Sequence, residues 1–519
     1  MKSRIKTLFI LVILATGMGL ALHDFSHAGA IQEAPYFLTP PPASSPSINS
    51  PSVYGCRPGR PFLYRIPCTG DRPIFFSAAN LPDSLQLDAD GGVIHGEAPQ
   101  ERGEYLIEIS ARNKSGSDCK SFKIVVGDDL ALTPPMGWNH WYTYYHNVQD
   151  PLFREAAVIM IESGMADFGY QYVNIDDCWM MKPGSDDPAL GGEPLDEMGA
   201  ITPNMNFPDM KAMCDSIHSL GLKAGLYTSP GPRTCAGYQG SYQHEWMDAQ
   251  RFAQWGFDFL KYDWCSYGNI AQDDSLEERQ KPYREMGEIL RNLNRDIILN
   301  LCQYGMSEVW KWGGEVGGHC WRTTGDLGLE KGDRLPGFYH IGFSNAEHAE
   351  YARPGRWNDP DYILIGMVGN ARRIQDPPRP TPLTPSEQYS YMSMWCLMAA
   401  PLFYSGDITH LDEFTLNVLC NAEVIEVDQD PLGIQGRMIH KTDEEFIMAK
   451  PMQDGSLAVG LFNIAESERR IQAAWDQLDL NGPQRVRNLW TQEELGVFDQ
   501  QYSADVRRHG VQLIRLWPK

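Results

Sequence analysis

The chain is short of basic residues: 44 Lys and Arg stand against 67 Asp and Glu, a formal charge of -23 over 519 residues. That deficit argues against nucleic acid and anionic membrane as partners, because both call for a basic face. A comfortable membrane span is lacking at the N-terminus, where the apolar run Leu8 to Ala21 is too short and too interrupted by glycine. Set between Lys2, Arg4 and Lys6 and the small residues Ala28-Gly29-Ala30, the run reads instead as a signal peptide over residues 1–30. An exported protein, periplasmic or secreted, is therefore expected. No cysteine follows the cleavage site, so lipidation is not indicated. Export permits disulfides among the 11 cysteines, and their odd number leaves at least one unpaired if pairing is internal.

What the chain has in quantity is aromatic surface, with 14 Trp and 23 Tyr. Flat rings suit sugar stacking, although most aromatics in any protein fill core. The length predicts two to four domains. Residues 31–52, rich in Pro, Ser and Ala, read as an extended linker. Phe62 to Ile66, Gly91 to Gly96 and Tyr105 to Ala111 then read as short strands of a small immunoglobulin-like β-domain over 53–128, in which no chemistry is evident.

From 129 to 433 the rhythm changes to short apolar stretches alternating with helical segments, the pattern of a parallel sheet. Strands are expected at 136–139, 172–177, 223–228, 259–263, 297–302, 320–326, 356–361 and 401–407, with helices at Phe153 to Gly164, Met210 to Gly221, Glu245 to Trp255 and Tyr283 to Leu293. Eight such units imply a (β/α)8 barrel. Alternation in Leu457 to Asn463, Arg485 to Trp490 and Gly510 to Leu516 predicts a C-terminal antiparallel β-sandwich over 434–519.

Five of the eight strands end in carboxylates: Asp176-Asp177, Asp263, Asp326, Asp359 with Asp361, and Asp407. The C-terminal end of a barrel carries its active site, since the loops there vary without disturbing the packed interior. One such aspartate is commonly a helix N-cap, the role expected of Asp407. Several at one mouth repel one another and need cations, a metal or a hydroxyl-rich substrate. Lys261 and Arg322 supply cations, and no His-x-x-x-His or EF-hand-like spacing lies near these strands, so neither metal nor cofactor is expected. Within Phe259 to Cys265, alternation puts Phe259, Lys261, Asp263 and Cys265 on one face. A structural ion pair and a catalytic carboxylate held ionised by Lys261 are equally good accounts of that stretch alone.

Lys261-Tyr262-Asp263-Trp264-Cys265, Tyr172-Val173-Asn174-Ile175-Asp176-Asp177-Cys178-Trp179, Trp357-Asn358-Asp359-Pro360-Asp361 and Asp428-Gln429-Asp430-Pro431-Leu432-Gly433 resemble the hallmark stretches of glycoside hydrolase family 27, the melibiase-like α-galactosidases and α-N-acetylgalactosaminidases. The resemblance runs from about Ala131 to the C-terminus. It implies a retaining α-galactosidase without a cofactor, with Asp263 as nucleophile and Asp326 as acid/base. Asp176 and Asp177 match the pair holding the axial 4-hydroxyl and the 6-hydroxyl of galactose. Lys261 matches a lysine on the ring hydroxyls, Arg322 a residue near the 2-position, Trp141 and Tyr227 aromatic contacts, and Asp361 a subsite carboxylate.

Retaining chemistry needs two carboxyl groups roughly 5 to 5.5 Å apart, one ionised and one protonated. Lys261 is expected to lower the pKa of Asp263, and partial burial beside an anion to raise that of Asp326. The resemblance also implies bridges Cys235–Cys265 and Cys302–Cys320. Cys178 keeps a family position without its usual partner and is expected free, while Cys56, Cys68 and Cys119 permit one further bridge.

The chain departs from the family at Cys302-Gln303-Tyr304-Gly305-Met306, where many members carry an acid and a tryptophan and where the 2-substituent is chosen. Gln303 is placed on the substrate, and the choice between galactose, N-acetylgalactosamine and arabinopyranose stays open, with galactose favoured. The expected partner is an α-galactoside oligo- or polysaccharide. The non-enzymatic alternative is a sugar-binding protein on a degenerate barrel, disfavoured because both carboxylates are present. Oligomeric state is not legible.

Overall fold

Eight short parallel strands form the centre of the molecule: β1 Met136–Asn139, β2 Tyr172–Asn174, β3 Lys223–Thr228, β4 Phe259–Asp263, β5 Ile298–Cys302, β6 Cys320–Arg322, β7 Trp357–Asp359 and β8 Leu402–Tyr404. The structure is a computed structural model and describes residues 33–327, 334–369 and 377–519. The expected signal peptide lies outside them. Neighbouring strands pair in sequence order, with β8 against β1. The ring closes where Ile363, just past β7, bridges Tyr404 in parallel register.

Alternation explains both faces of the ring. Tyr172, Phe259, Trp357 and Phe403 meet in one apolar cluster, with the Phe259 ring 5.8 Å from that of Tyr172 and 5.3 Å from that of Phe403. Leu260 and Tyr262 belong to the larger core that also holds the helix residues Phe252, Tyr283 and Met286. Burying a side chain such as Phe259 contributes roughly 1.5–3 kcal/mol. The helices run Asp150–Glu162, Met210–Ser219, Glu245–Trp255 and Leu276–Asn292. The last starts earlier than expected, because the Ser275 side chain accepts from Glu278 N and caps it there.

The N-terminal β-domain is built on a four-stranded and a three-stranded sheet, with a short two-stranded pair beside them, around its own core. Pro61–Arg65, Val93–Glu97 and Gly103–Asn113 agree with the expected strands, and Val53–Cys56, Phe75–Ala79, Leu85–Asp88 and Gly116–Val126 join them. The Pro/Ser-rich stretch is less free than a linker. Tyr36 Oη lies 2.9 Å from Ser386 Oγ, Leu38 N and Thr39 N donate to Asn417 Oδ1, and Ser47–Ile48 pairs with Cys68–Thr69. Backbone groups that find side-chain partners on the barrel fix this segment although it has little core of its own.

At the other end, a six-stranded antiparallel sheet and the pair Arg469–Ala474 with Gln501–Val506 make the C-terminal sandwich. Its Leu457–Asn463 and Val511–Pro518 strands coincide with expected alternating stretches. Among the described residues no helix is long and apolar enough to cross a membrane.

Candidate active site

The tails of the barrel strands converge on a cleft lined by Trp141, Tyr142, Asp176, Tyr227, Cys235, Lys261, Asp263, Tyr304, Arg322, Asp326, Asp361 and Tyr362. Asp263 ends β4 and is itself buried. Its Oδ1 accepts from Trp264 N at 2.7 Å and from Tyr304 Oη at 2.5 Å. Burial pushes its pKa above the ordinary carboxylate value, and this outweighs the opposing pull of Lys261, Tyr304 and Trp264 N. Lys261 does pull it down, as expected, but not far enough to offset burial, so the expectation of a net depression is what the structure corrects.

The reason lies in where Lys261 points. Its ammonium is 2.8 Å from Asp176 Oδ2, which also accepts from Asn139 Nδ2 at 2.9 Å and Tyr362 Oη at 3.1 Å. Burial alone would raise the pKa of Asp176, but the Lys261 ammonium holds it below its usual value. Burial lowers His140 to about 4. It is thus neutral at pH 7, in keeping with Nδ1 accepting from Asp176 N at 3.0 Å and Nε2 standing 3.1 Å from Tyr145 O.

Asp177 behaves differently from its neighbour. Among the described residues no cation pairs with it, and burial raises it to about 7 even though Ala236 N and Cys178 N donate to it at 2.9 and 2.7 Å. It lies beside Asp176 but does not line the cleft directly. The tight turn that places the pair leaves Cys178 at φ 83.

Across the cleft, Arg322 of β6 pairs with Asp361 at 2.9 Å and reaches Asp326 Oδ1 at 3.4 Å. Asp361, at φ 85, also accepts from Tyr142 Oη at 2.6 Å and Leu327 N at 2.8 Å. These contacts make Asp361 the brace for Arg322 at the back of the cleft. Asp326 is less buried than expected, with 53% of its side chain exposed, because it lies beyond β6 on the outgoing loop. Asp359 takes Asn300 Nδ2 at 2.7 Å inside the barrel and does not line the cleft. Asp407 caps the turn after β8 through Thr409 N, as expected of an N-cap.

Two expectations fail on geometry. Gln303 is 2% exposed and donates to Met306 O at 2.9 Å, so the cleft position falls to Tyr304 instead. Cys302 and Cys320 are free, buried thiols. In the β5–β6 register Cys320 lies opposite Asn300, so Cys302 stands two residues further along. That offset, roughly 6–7 Å along the strand on top of about 4.8 Å between strands, exceeds disulfide reach. Cys235–Cys265 is bridged, whereas Cys178, Cys56, Cys68 and Cys119 are free.

Tyr304, Tyr142 and Tyr362 are the cleft residues that sequence reasoning missed. Tyr304 stands one position from the residue singled out; the other two carry no signal beyond lying near strand ends.

A family model described as α-galactosidase A matches residues 133–430, and a model of the α-galactosidase C-terminal β-sandwich matches 443–516. The chain belongs to glycoside hydrolase family 27, the melibiase family of α-galactosidases. Among curated proteins, α-galactosidase 2 of Arabidopsis thaliana is 35% identical over 399 residues, 76% of this chain and 92% of that protein. Among solved structures, a Bacteroides fragilis protein assigned as an α-galactosidase/melibiase superposes with a TM-score of 0.83 at 34% identity, covering 92% of this chain and 98% of its own. α-Galactosidase I of Mortierella vinacea gives 0.67 at 28% identity, covering 76% and 99%. Only the first of these two structures covers enough of the chain to take in the N-terminal β-domain. As a melibiase-family enzyme the chain hydrolyses α-galactosides.

Proposed function

We propose that the enzyme is an exported, retaining exo-α-galactosidase that removes terminal α-D-galactosyl residues through a covalent glycosyl-Asp263 intermediate. The observation that carries this reading is that one cleft is lined by a buried, braced carboxylate, Asp263, and a loop carboxylate, Asp326, together with the cation-bearing residues Lys261 and Arg322. Asp263 attacks the anomeric carbon while Asp326 gives its proton to the departing oxygen. Asp326 then takes a proton from water as the water oxygen displaces Asp263.

Asp176 receives galactose hydroxyls with Asp177 buried behind it, Lys261 bridges Asp176 to the ring, and Trp141 and Tyr227 pack on the sugar. A buried acceptor built for an axial 4-hydroxyl is left unpaired by the equatorial epimer, so glucosides are rejected. Arg322, held by Asp361, faces the 2-position. The basic-then-apolar N-terminus and the Cys235–Cys265 bridge both favour export.

Proton NMR of 4-nitrophenyl α-D-galactopyranoside hydrolysis tests the reading: α-galactose is expected to appear first and to mutarotate later. First appearance of the β-anomer would refute it. Comparison with the N-acetylgalactosaminide and the β-L-arabinopyranoside decides the sugar, with the galactoside expected to be preferred.

A further inference from the structure

Tyr304 has no role in the family resemblance, yet its hydroxyl makes the shortest side-chain contact to the carboxylate of Asp263, 2.5 Å from Oδ1. The same hydroxyl is 3.7 Å from each sulfur of the Cys235–Cys265 bridge. With Trp264 N at 2.7 Å, Oδ1 therefore holds two donors. Oδ2 has none among the described residues.

The loop is built to hold this ring in place. Tyr304 sits at φ 65 and Gly305 at φ 81, and a Cβ on Gly305 would lie 2.2 Å from Thr323 O. A non-glycine residue in left-handed backbone is strained and persists where its surroundings fix it. Burial also holds the phenol firmly protonated, so it can only donate to the carboxylate.

We propose that Tyr304 divides the nucleophile's two oxygens, fixing Oδ1 and presenting Oδ2 to the anomeric carbon, and that its hydrogen bond favours the second chemical step over the first. This rests on the retaining reading above. In the first step an Oδ2 electron pair forms the bond to the anomeric carbon, the glycosidic bond breaks, and the Asp326 proton goes to the leaving oxygen. Negative charge on Asp263 is consumed, so a donor on Oδ1 stabilises the reactant more than the transition state.

In the second step the water oxygen bonds to the same carbon, the carbon–Oδ2 bond breaks, and the water proton passes to Asp326. The electron pair returns to the carboxylate, and the waiting donor stabilises charge as it forms. Tyr304 is thus a positioning residue for attack and a stabiliser of the departing carboxylate.

The test is Tyr304→Phe, which keeps the ring. With 4-nitrophenyl α-D-galactopyranoside, kcat is expected to fall about tenfold, the weight of one hydrogen bond to a charged group. KM should fall with it, leaving kcat/KM within about twofold. A pre-steady-state burst of one nitrophenolate per enzyme should appear, and azide, a competing nucleophile, should restore turnover. Loss of the donor also makes the carboxylate more basic, so the acidic limb of kcat/KM should move to higher pH.

Equal loss of kcat and kcat/KM without a burst, or no change in either, would overturn the proposal. 3-Fluorotyrosine at position 304 supplies a second variant that preserves packing: as a stronger donor it should speed release of a trapped 2-fluorogalactosyl enzyme, and slower or unaltered release would count against the proposal. If the wild type yields β-galactose first, the retaining reading itself fails; retention by the wild type with no burst from the Tyr304→Phe variant defeats this inference alone.

Discussion

Lys261 Nζ stands 2.8 Å from Asp176 Oδ2, so the cation of the nucleophile strand is spent on the tail of β2, not on Asp263 two residues along its own strand. The consequence is a division of roles among buried carboxylates. Asp176 is held ionised for substrate hydroxyls, while Asp263 is kept in place by hydrogen bonds to one of its oxygens and stays more basic than an ordinary aspartate.

Lys261→Met is expected to destabilise the fold by about 3–5 kcal/mol, because Asp176 would be left as an uncompensated buried charge. It should also move the acidic limb of kcat/KM upward, since Lys261 opposes protonation of Asp263. Denaturant unfolding and a pH–rate profile check the two effects separately; an unmoved limb would show that the ammonium does not act on Asp263.

Asp177 predicts a pH dependence of stability. Its folded pKa of about 7 lies above the ordinary aspartate value of 3.8, so between those values the folded chain keeps a proton that the unfolded chain has released. Stability contributed by this group is present at low pH and lost as pH rises through that window. Asp177→Asn should remove that downward slope and raise KM for galactosides. Urea midpoints of both proteins from about pH 4 to about pH 7.5 measure the difference, and parallel curves would contradict it.

The thiol inventory is equally specific. With 11 cysteines and one bridge, denatured protein without reductant should titrate nine thiols. A count of seven would mean that a second bridge, such as Cys302–Cys320, forms after all.

Asp407→Asn separates strand-end carboxylates that act in the cleft from those that hold the fold. Asp407 is buried, accepts from Tyr144 Oη at 2.5 Å and caps Thr409 N at 3.0 Å. Loss of the charge should cost about 0.5–2 kcal/mol, the range for an N-cap, with kcat/KM nearly unchanged. A loss of turnover comparable to that of Asp263→Asn would place Asp407 in the catalytic machinery.

The barrel is legible in the sequence because each of its strands is a short apolar stretch that ends in polar residues, and because the face of Lys261 and Asp263 follows from simple alternation. The family motifs carry Asp176, Asp177, Arg322 and Asp361 to one mouth. What does not follow from the chain is the partner of each charge. Lys261 reaches across to β2 because the barrel curves its neighbours inward, a tertiary fact that sequence spacing does not encode. Cys302 and Cys320 fail as a pair for the same kind of reason, a register offset between adjacent strands. Gln303 and Tyr304 exchange places because the loop turns through left-handed backbone at Tyr304 and Gly305. In the N-terminal β-domain, Gly116–Val126 escapes sequence reading because its first half is exposed and polar while its second half alternates.

The most direct test of the account is to treat the enzyme with a 2-deoxy-2-fluorogalactosyl donor bearing a good leaving group, digest it, and locate the adduct by mass spectrometry. An ester on Asp263, in the peptide that carries Lys261-Tyr262-Asp263-Trp264, is the expected result. A label on any other carboxylate, or turnover with no covalent adduct and β-galactose as the first product, would contradict it.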